Sequence, residues 1–244
     1  MLALATLSLQ VWFALRIALM ILVAPESTTF QRSEIWRLAM EQHAIAWAQE
    51  SVSRTRISDN LRRAVIASED AGFVDHRGVE WDAVEKAWDK NQKAQARIEA
   101  QTSRAAARHA GESALARPRP APKVIGGSTI SQQLAKNLFL SGERTILRKG
   151  QELIVTLMLE LLLGKDRILT LYLDNVEWGE GVFGAQAAAR HYFHVDAARL
   201  APAQAARLAV MLPAPKRFER TPGSPYVLAR SATIVARMGA VELP

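Results

Sequence analysis

The 244-residue sequence contains no cysteine. This excludes a disulfide framework, thiolate zinc sites and a cysteine nucleophile, but not export, because a chain of this length buries a core without covalent staples. Also missing are internal repeats, strand-like alternation over any useful length, and the GxxxxGK spacing of a phosphate-binding loop. What is present is ordinary for a folded chain: 49% hydrophobic and 23% charged residues, which excludes global disorder. The net charge of +7 points to an anionic partner, and nucleic acid, an acidic membrane surface and a phosphorylated substrate all satisfy it. The length suits one domain with a short appendage.

One long hydrophobic run stands out, from Leu2 to Ala24, ended by Pro25-Glu26-Ser27. As a helix at ~1.5 Å per residue it spans about 34 Å, enough for a ~30 Å hydrocarbon core. Arg16 opposes this at ~2.5–3.5 kcal/mol, which the surrounding Leu, Ile, Val, Phe and Trp offset. With no basic leader and no small-x-small cleavage site, an uncleaved anchor is favoured over a signal peptide or a buried core helix. The expected organisation is therefore a transmembrane anchor at 1–24, a linker with a membrane-proximal helix at 25–54, and one helical domain over 55–244.

Within that domain Ser58 predicts an N-cap for a helix carrying Leu61, Val65 and Ile66 on one stripe. A second helix is predicted from Val79 to Lys93, with Trp81 and Trp88 in the core. Residues 90–123 hold eight basic against two acidic residues, carry no aromatic, and end in Arg-Pro-Arg-Pro-Ala-Pro, which reads as a mobile basic insertion. It accounts for +6 of the net charge, leaving +1 for the other 210 residues. Thr129 and Gln132 have capping-box spacing ahead of Leu134 and Leu138. Arg148–Leu163, apolar nearly all round, is predicted to be the buried central helix, followed by helices at 165–175, 185–192, 202–212 and 226–238. The fold class expected is all-α.

Chemistry-bearing side chains fall in four blocks. The first, Glu69-Asp70-x-x-Phe73-x-x-His76-x-Gly78, puts carboxylates and an imidazole where an apolar helix runs out. A carboxylate beside Val65, Ile66 and Phe73 would have a raised pKa and suit a general base; ordinary solvated acids at a helix end are the competing reading. The second, Gly126-Gly127-Ser128-Thr129-Ile130-Ser131-Gln132-Gln133 with Lys136 and Asn137, offers backbone N–H groups at a helix start and a cation two turns on, suited to an anion. The pair Gln132-Gln133 fits a simple capped helix poorly. In the third, Arg148-Lys149-x-x-Glu152, three charges opening an apolar helix suggest a polar cleft, although Arg148 and Glu152 could merely pair on the surface. The fourth is Lys165-x-x-Ile168-Leu169-x-x-Tyr172-Leu173-Asp174-Asn175 and then Gly179-x-Gly181-x-x-Gly184. That glycine pattern follows no predicted strand, so tight turns or close packing explain it better than a dinucleotide. Trp81, Trp88 and Tyr172 read as core.

In this order over residues 55–220, the four blocks resemble glycosyltransferase family 51, the peptidoglycan glycosyltransferases that polymerise lipid II. The stretch YLDNVEWGEGVFGAQAAARHYF is most similar to the monofunctional, membrane-anchored members. Asp174 stands where the family usually has Asn, and the insertion 90–123 is unusual. The resemblance implies a lysozyme-like helical fold and transfer of a growing chain from polyprenyl pyrophosphate to the GlcNAc 4-hydroxyl of lipid II with inversion. Glu69 matches the family's catalytic base and Glu152 its second essential carboxylate. Glu152 either orients the basic cluster or holds a divalent cation, Mg or Mn; no organic cofactor is implied. Lys136, Arg148 and Lys149 match positions that meet the pyrophosphate. Ser128, Thr129, Gln132, Gln133 and Asn137 are expected to shape the substrate site, and Asp70, Phe73, His76 and Gly78 to support Glu69. The implied partners are lipid II, the nascent glycan strand, the cytoplasmic membrane with the catalytic domain on its outer face, and other cell-wall synthesis proteins, not nucleic acid. A lytic, muramidase-type enzyme on a related fold is the competing activity, but the three cations would then lack a purpose. A membrane-anchored basic scaffold working through 90–123 is the non-enzymatic alternative. No Ser-x-x-Lys occurs, so an acyl-serine transpeptidase is not expected within this sequence.

Overall fold

The computed structural model describes residues 1–82, 84–85, 89, 92–94, 96–98, 100, 127–140 and 145–244. Two compact units are distinguished, residues 1–79 with 129–244, and residues 80–128. In the smaller unit the described residues from 81 to 100 are helical, and most are exposed. Trp81 is 68% exposed, so its expected place in the core is not borne out. Trp88 and most of the basic run 90–123 lie outside the described residues.

The larger unit contains, in chain order, α1 (Leu2–Leu19), α2 (Thr29–Arg37), β1 (Ala48–Gln49), α3 (Asp59–Glu69), α4 (Ile130–Phe139), α5 (Ile146–Leu162), α6 (Lys165–Asn175), β2 (Glu177–Gly179), β3 (Val182–Phe183), α7 (Ala185–Phe193), α8 (Pro202–Met211), α9 (Pro215–Phe218) and α10 (Pro225–Met238). Side-chain caps start α3 and α4 where the sequence places them. Ser58 accepts from the Leu61 amide, and Thr129 and Gln132 form a complete capping box. α3 packs against α8 and α10, while α4 lies between α2, α5 and α6.

Two expectations about burial are corrected. α5 is not the buried central helix: only Glu152, Val155, Thr156 and Leu159 are buried, and Ile146 and Leu147 are 91% and 87% exposed. An apolar circumference shows what a helix could bury, not how many neighbours it has. The buried helix is α6, where every residue from Ile168 to Asn175 is buried.

The predicted membrane span is also not borne out, since no helix among the described residues is long and apolar enough to cross a membrane. α1 stops at Leu19, making 18 residues, about 27 Å at ~1.5 Å per residue. One side of it docks on the domain: Phe13, Ile17 and Met20 are buried, Phe13 meets Phe139 edge-on at 5.2 Å, and the Gln10 and Gln151 amides exchange hydrogen bonds at 2.8 and 3.1 Å.

A small sheet, in the order β1-β3-β2, departs from the all-α expectation. Its strands have two or three residues, and β2 and β3 are buried throughout, so no alternation marks them. β2 and β3 are antiparallel, which makes the GxGxxG stretch the turn of a hairpin rather than the crossover a dinucleotide site needs. Gly181 has φ +73°, and a Cβ there would lie 2.0 Å from the Ala46 carbonyl oxygen, so close approach of backbones is what requires glycine.

Asp174, the departure from the family's Asn, accepts from the Val52 amide at 3.0 Å and from the Ser51 hydroxyl. It holds the segment after β1 against α6. Burial raises its pKa, against the pull of the Ser51 and Val52 hydrogen bonds.

An ion network ties α2 to the hairpin and α9. Lys216 lies 2.5 Å from Glu34 and 3.4 Å from Glu177, while Arg37 binds Glu34 at 2.9 Å and Glu180 at 2.6 Å. Burial raises the Glu177 pKa to about 7, with Lys216 opposing and Glu34 reinforcing the shift. A carboxyl raised from 4.5 contributes stability that is complete below pH 4.5 and lost as pH rises through about 7. Glu177→Gln is therefore expected to raise the unfolding free energy at pH 8, by up to about 3 kcal/mol, and to make little difference at pH 4. Denaturant unfolding at the two pH values measures this.

Candidate active site

Glu69 is the last residue of α3, a helix whose Leu61, Ala64, Val65 and Ile66 are buried. Phe73, fully buried, follows it one turn later. In these surroundings burial raises the Glu69 pKa; hydrogen bonds from Gln133 and Ser68 act against it, and the Asp70 charge adds to it. The Gln133 Nε2 donates to Glu69 Oε2 at 3.1 Å. The sequence expectation of a carboxyl with raised pKa at this position agrees with the structure.

The loop after Glu69 is clamped to the start of α4. Asp70, buried, accepts from the Ile130 amide at 2.9 Å through Oδ2, and its Oδ1 lies 2.8 Å from His76 Nε2. The Gly78 amide donates to His76 Nδ1 at 3.1 Å, which fits a ring proton on Nε2 given to Asp70. The Thr129 hydroxyl donates to the Gly78 carbonyl at 2.6 Å. Gly78 has φ +86°, and a Cβ there would come 2.8 Å from Thr156 Cγ2. Asp70, His76 and Gly78 are thus joined to one another and to the start of α4.

The start of α4 is not an open anion site. The Ile130 amide is taken by Asp70 and the Gln132 amide by the Thr129 hydroxyl, while Gln132 Oε1 accepts from the Thr129 amide at 3.1 Å. Thr129 and Gln132 are buried and spent on this capping box, so the glutamine pair, which seemed to fit a cap poorly, divides between two tasks: Gln132 caps and Gln133 reaches Glu69. Ser128 belongs to the smaller unit and is exposed. Asn137 is buried on α4.

Lys136 follows Gln133 by three residues on α4, so the two side chains are neighbours on one face. Lys136 is exposed as a residue, yet its amine's pKa is lowered, by burial first, with Arg148 and Lys149 adding to the shift and Glu152 opposing it. These four charges act as one group. Glu152 is 3% exposed and has both oxygens engaged, Oε2 by Arg148 at 2.9 Å and Oε1 by the Lys149 amine. The three charges that open the apolar helix are thus joined as two ion pairs on a buried Glu152.

The sequence reading did not single out Glu160. Glu160 accepts from the Ser131 hydroxyl at 2.5 Å and pairs with Lys165 at 2.8 Å, joining α4, α5 and α6, and the Lys165 amine lies 4.5 Å from the centre of the Phe73 ring. The available signal was one carboxylate inside the apolar run LMLELLL. Tyr172 was expected in the core and is there, but its hydroxyl also donates to Gln133 Oε1 at 2.9 Å.

Asp70→Ala leaves the buried Ile130 amide without its acceptor and is expected to cost about 1–3 kcal/mol of stability, read as a lowered denaturant midpoint.

Two comparisons bear on this arrangement. The family model described as Transglycosylase matches residues 39–103 and 101–239. A protein of Paraburkholderia xenovorans named biosynthetic peptidoglycan transglycosylase is 48% identical over 242 residues, covering 99% of this chain and 90% of that protein. Proteins of the same name from Burkholderia pseudomallei and Bordetella pertussis are 48% and 47% identical, with 84% and 86% of their lengths covered. With the clamped Glu69 loop and the cation group at the start of α5 falling inside the matched residues, the chain belongs to the transglycosylase family.

Proposed function

We propose that this protein is a peptidoglycan glycosyltransferase that polymerises lipid II into linear glycan strands, and that Glu69 is its general base. The observation that carries the reading is the composition of one face of α4. Gln133 holds the Glu69 carboxyl, and Lys136, one turn on, joins the Arg148–Lys149–Glu152 group. A proton acceptor from α3 and a concentration of positive charge from α5 are thus both reached from α4, as a displacement with an anionic leaving group requires.

In this reading Glu69 takes the proton of the acceptor GlcNAc 4-hydroxyl as that oxygen attacks C1 of the donor MurNAc. The new C1–O4 bond forms as the bond from C1 to the pyrophosphate oxygen breaks, and attack from the opposite face inverts the α-linked donor to a β-1,4 linkage. This is the inverting use of a carboxylate, with a sugar hydroxyl in place of water. Negative charge grows on the departing pyrophosphate, and cations held in place beforehand stabilise it without reorganisation. Lys136, Arg148 and Lys149 fill that role. The lysozyme-like architecture implied by the family fits the helical larger unit.

Glu152 does not suit a divalent cation as it stands. Each of its oxygens already faces a side-chain cation, and a metal would have to displace Arg148 or Lys149 from it. Its role in this reading is to fix those two cations, and no step is drawn through a metal.

In this reading the site works at the outer face of the cytoplasmic membrane, on polyprenyl-linked substrates. Supporting this are the outward apolar side chains of α1 (Leu4, Leu7, Val11, Leu15) and of α5 (Leu157, Leu161), which give an interfacial contact without requiring a span.

Purified protein supplied with lipid II should form glycan polymer, and Glu69→Gln should reduce the rate by about 10²–10⁴-fold. Because burial raises the Glu69 pKa, its charge destabilises the fold at neutral pH. The same variant should therefore melt at or above the wild-type temperature at pH 8. Release of fragments from cell-wall glycan without polymer would establish the lytic reading instead, and full turnover by Glu69→Gln would remove Glu69 from the mechanism.

A further inference from the structure

The reaction proposed above uses Glu69 and the cations but gives the buried Tyr172 hydroxyl no task. Tyr172, on α6, is 1% exposed. Its hydroxyl donates to Gln133 Oε1 at 2.9 Å, and the other end of the same amide, Nε2, donates to Glu69 Oε2 at 3.1 Å. Three elements are joined in one chain of hydrogen bonds: α6, α4 and the end of α3.

The direction of this chain follows from what each member can donate. An ionised carboxylate only accepts, so the Gln133 amide must turn its NH₂ to Glu69 and its oxygen away. That oxygen accepts from the Tyr172 hydroxyl, which is itself withdrawn from water. The phenol stays protonated there, because burial, then the charges of Glu69 and Asp70, push its pKa well above the ordinary tyrosine value. Were the amide reversed, its oxygen would face the carboxylate and its NH₂ the phenol, a repulsive contact against charged Glu69. The tyrosine thus favours one of two orientations that are nearly equal in shape.

We propose that Tyr172 is a positioning residue for glycosyl transfer: by donating to Gln133 it holds the amide in the orientation that presents an N–H to Glu69, fixing the carboxylate that receives the acceptor's proton. This rests on Glu69 being the base. Tyr172 touches neither substrate nor the reacting atoms in this role, and its effect passes through Gln133 alone.

The test is a double-mutant cycle in the lipid II polymerisation assay, with Tyr172→Phe, Gln133→Ala, the pair, and Glu69→Gln run alongside. Tyr172→Phe keeps the ring and removes only the hydroxyl. It should lower kcat roughly tenfold, the equivalent of about one neutral hydrogen bond, and leave KM within about twofold of wild type. Added to Gln133→Ala, the same change should alter kcat by less than about twofold, because no amide remains to orient. Unchanged kcat in Tyr172→Phe, with Glu69→Gln inactive, would overturn the proposal while leaving the base intact. So would a loss of the same size with and without Gln133, or a protein that melts far below wild type with kcat and KM both impaired, since each assigns the hydroxyl to packing. An active Glu69→Gln would overturn the base and this inference with it.

Discussion

A carboxylate withdrawn from water loses hydration that only nearby donors can replace. Glu69 is under that constraint at the end of α3, where burial raises its pKa. Gln133 supplies a donor, and Gln133 reaches it only because α4 begins where it does. The beginning of α4 is set in turn by the Asp70 carboxylate on the Ile130 amide and by the capping box of Thr129 and Gln132. The clamp around the Glu69 loop is thus the condition for holding a raised-pKa carboxyl in one place.

The same helix carries the second half of the site. Lys136 brings α4 into the charge group whose other members sit on the first turn of α5. Glu152 lies inside that group as its one anion, keeping two cations side by side that would otherwise repel one another. Concentrating positive charge where a pyrophosphate departs is costly to the resting protein, and one buried carboxylate moderates that cost.

Much of this was legible in the sequence, because it is written in local spacing. Caps at Ser58 and Thr129, the apolar stripe of α3, the i, i+4 pair Arg148–Glu152 and the raised carboxyl at Glu69 are relations between residues a few positions apart. What was missed depends on neighbours distant in sequence. α5 is richer in apolar residues than α6, yet it is α6 whose residues from Ile168 to Asn175 are all buried. The hairpin strands are too short and too buried to alternate. The N-terminal run was long enough on hydropathy for a span, but the helix ends at Leu19 and spends one side on the domain. Tyr172 shows the limit most clearly: apolar spacing placed its ring, while the use of its hydroxyl depends on a glutamine 39 residues away.

The central claim is that burial makes Glu69 a base poised closer to neutrality than an ordinary glutamate. A carboxyl ¹³C NMR titration of glutamate-labelled protein, with the Glu69 signal assigned by its loss in Glu69→Gln, tests this directly. The expected midpoint lies above the usual 4.5, at the pH where half of the polymerising activity is lost. A midpoint at or below 4.5, or activity that does not change across it, would contradict the account.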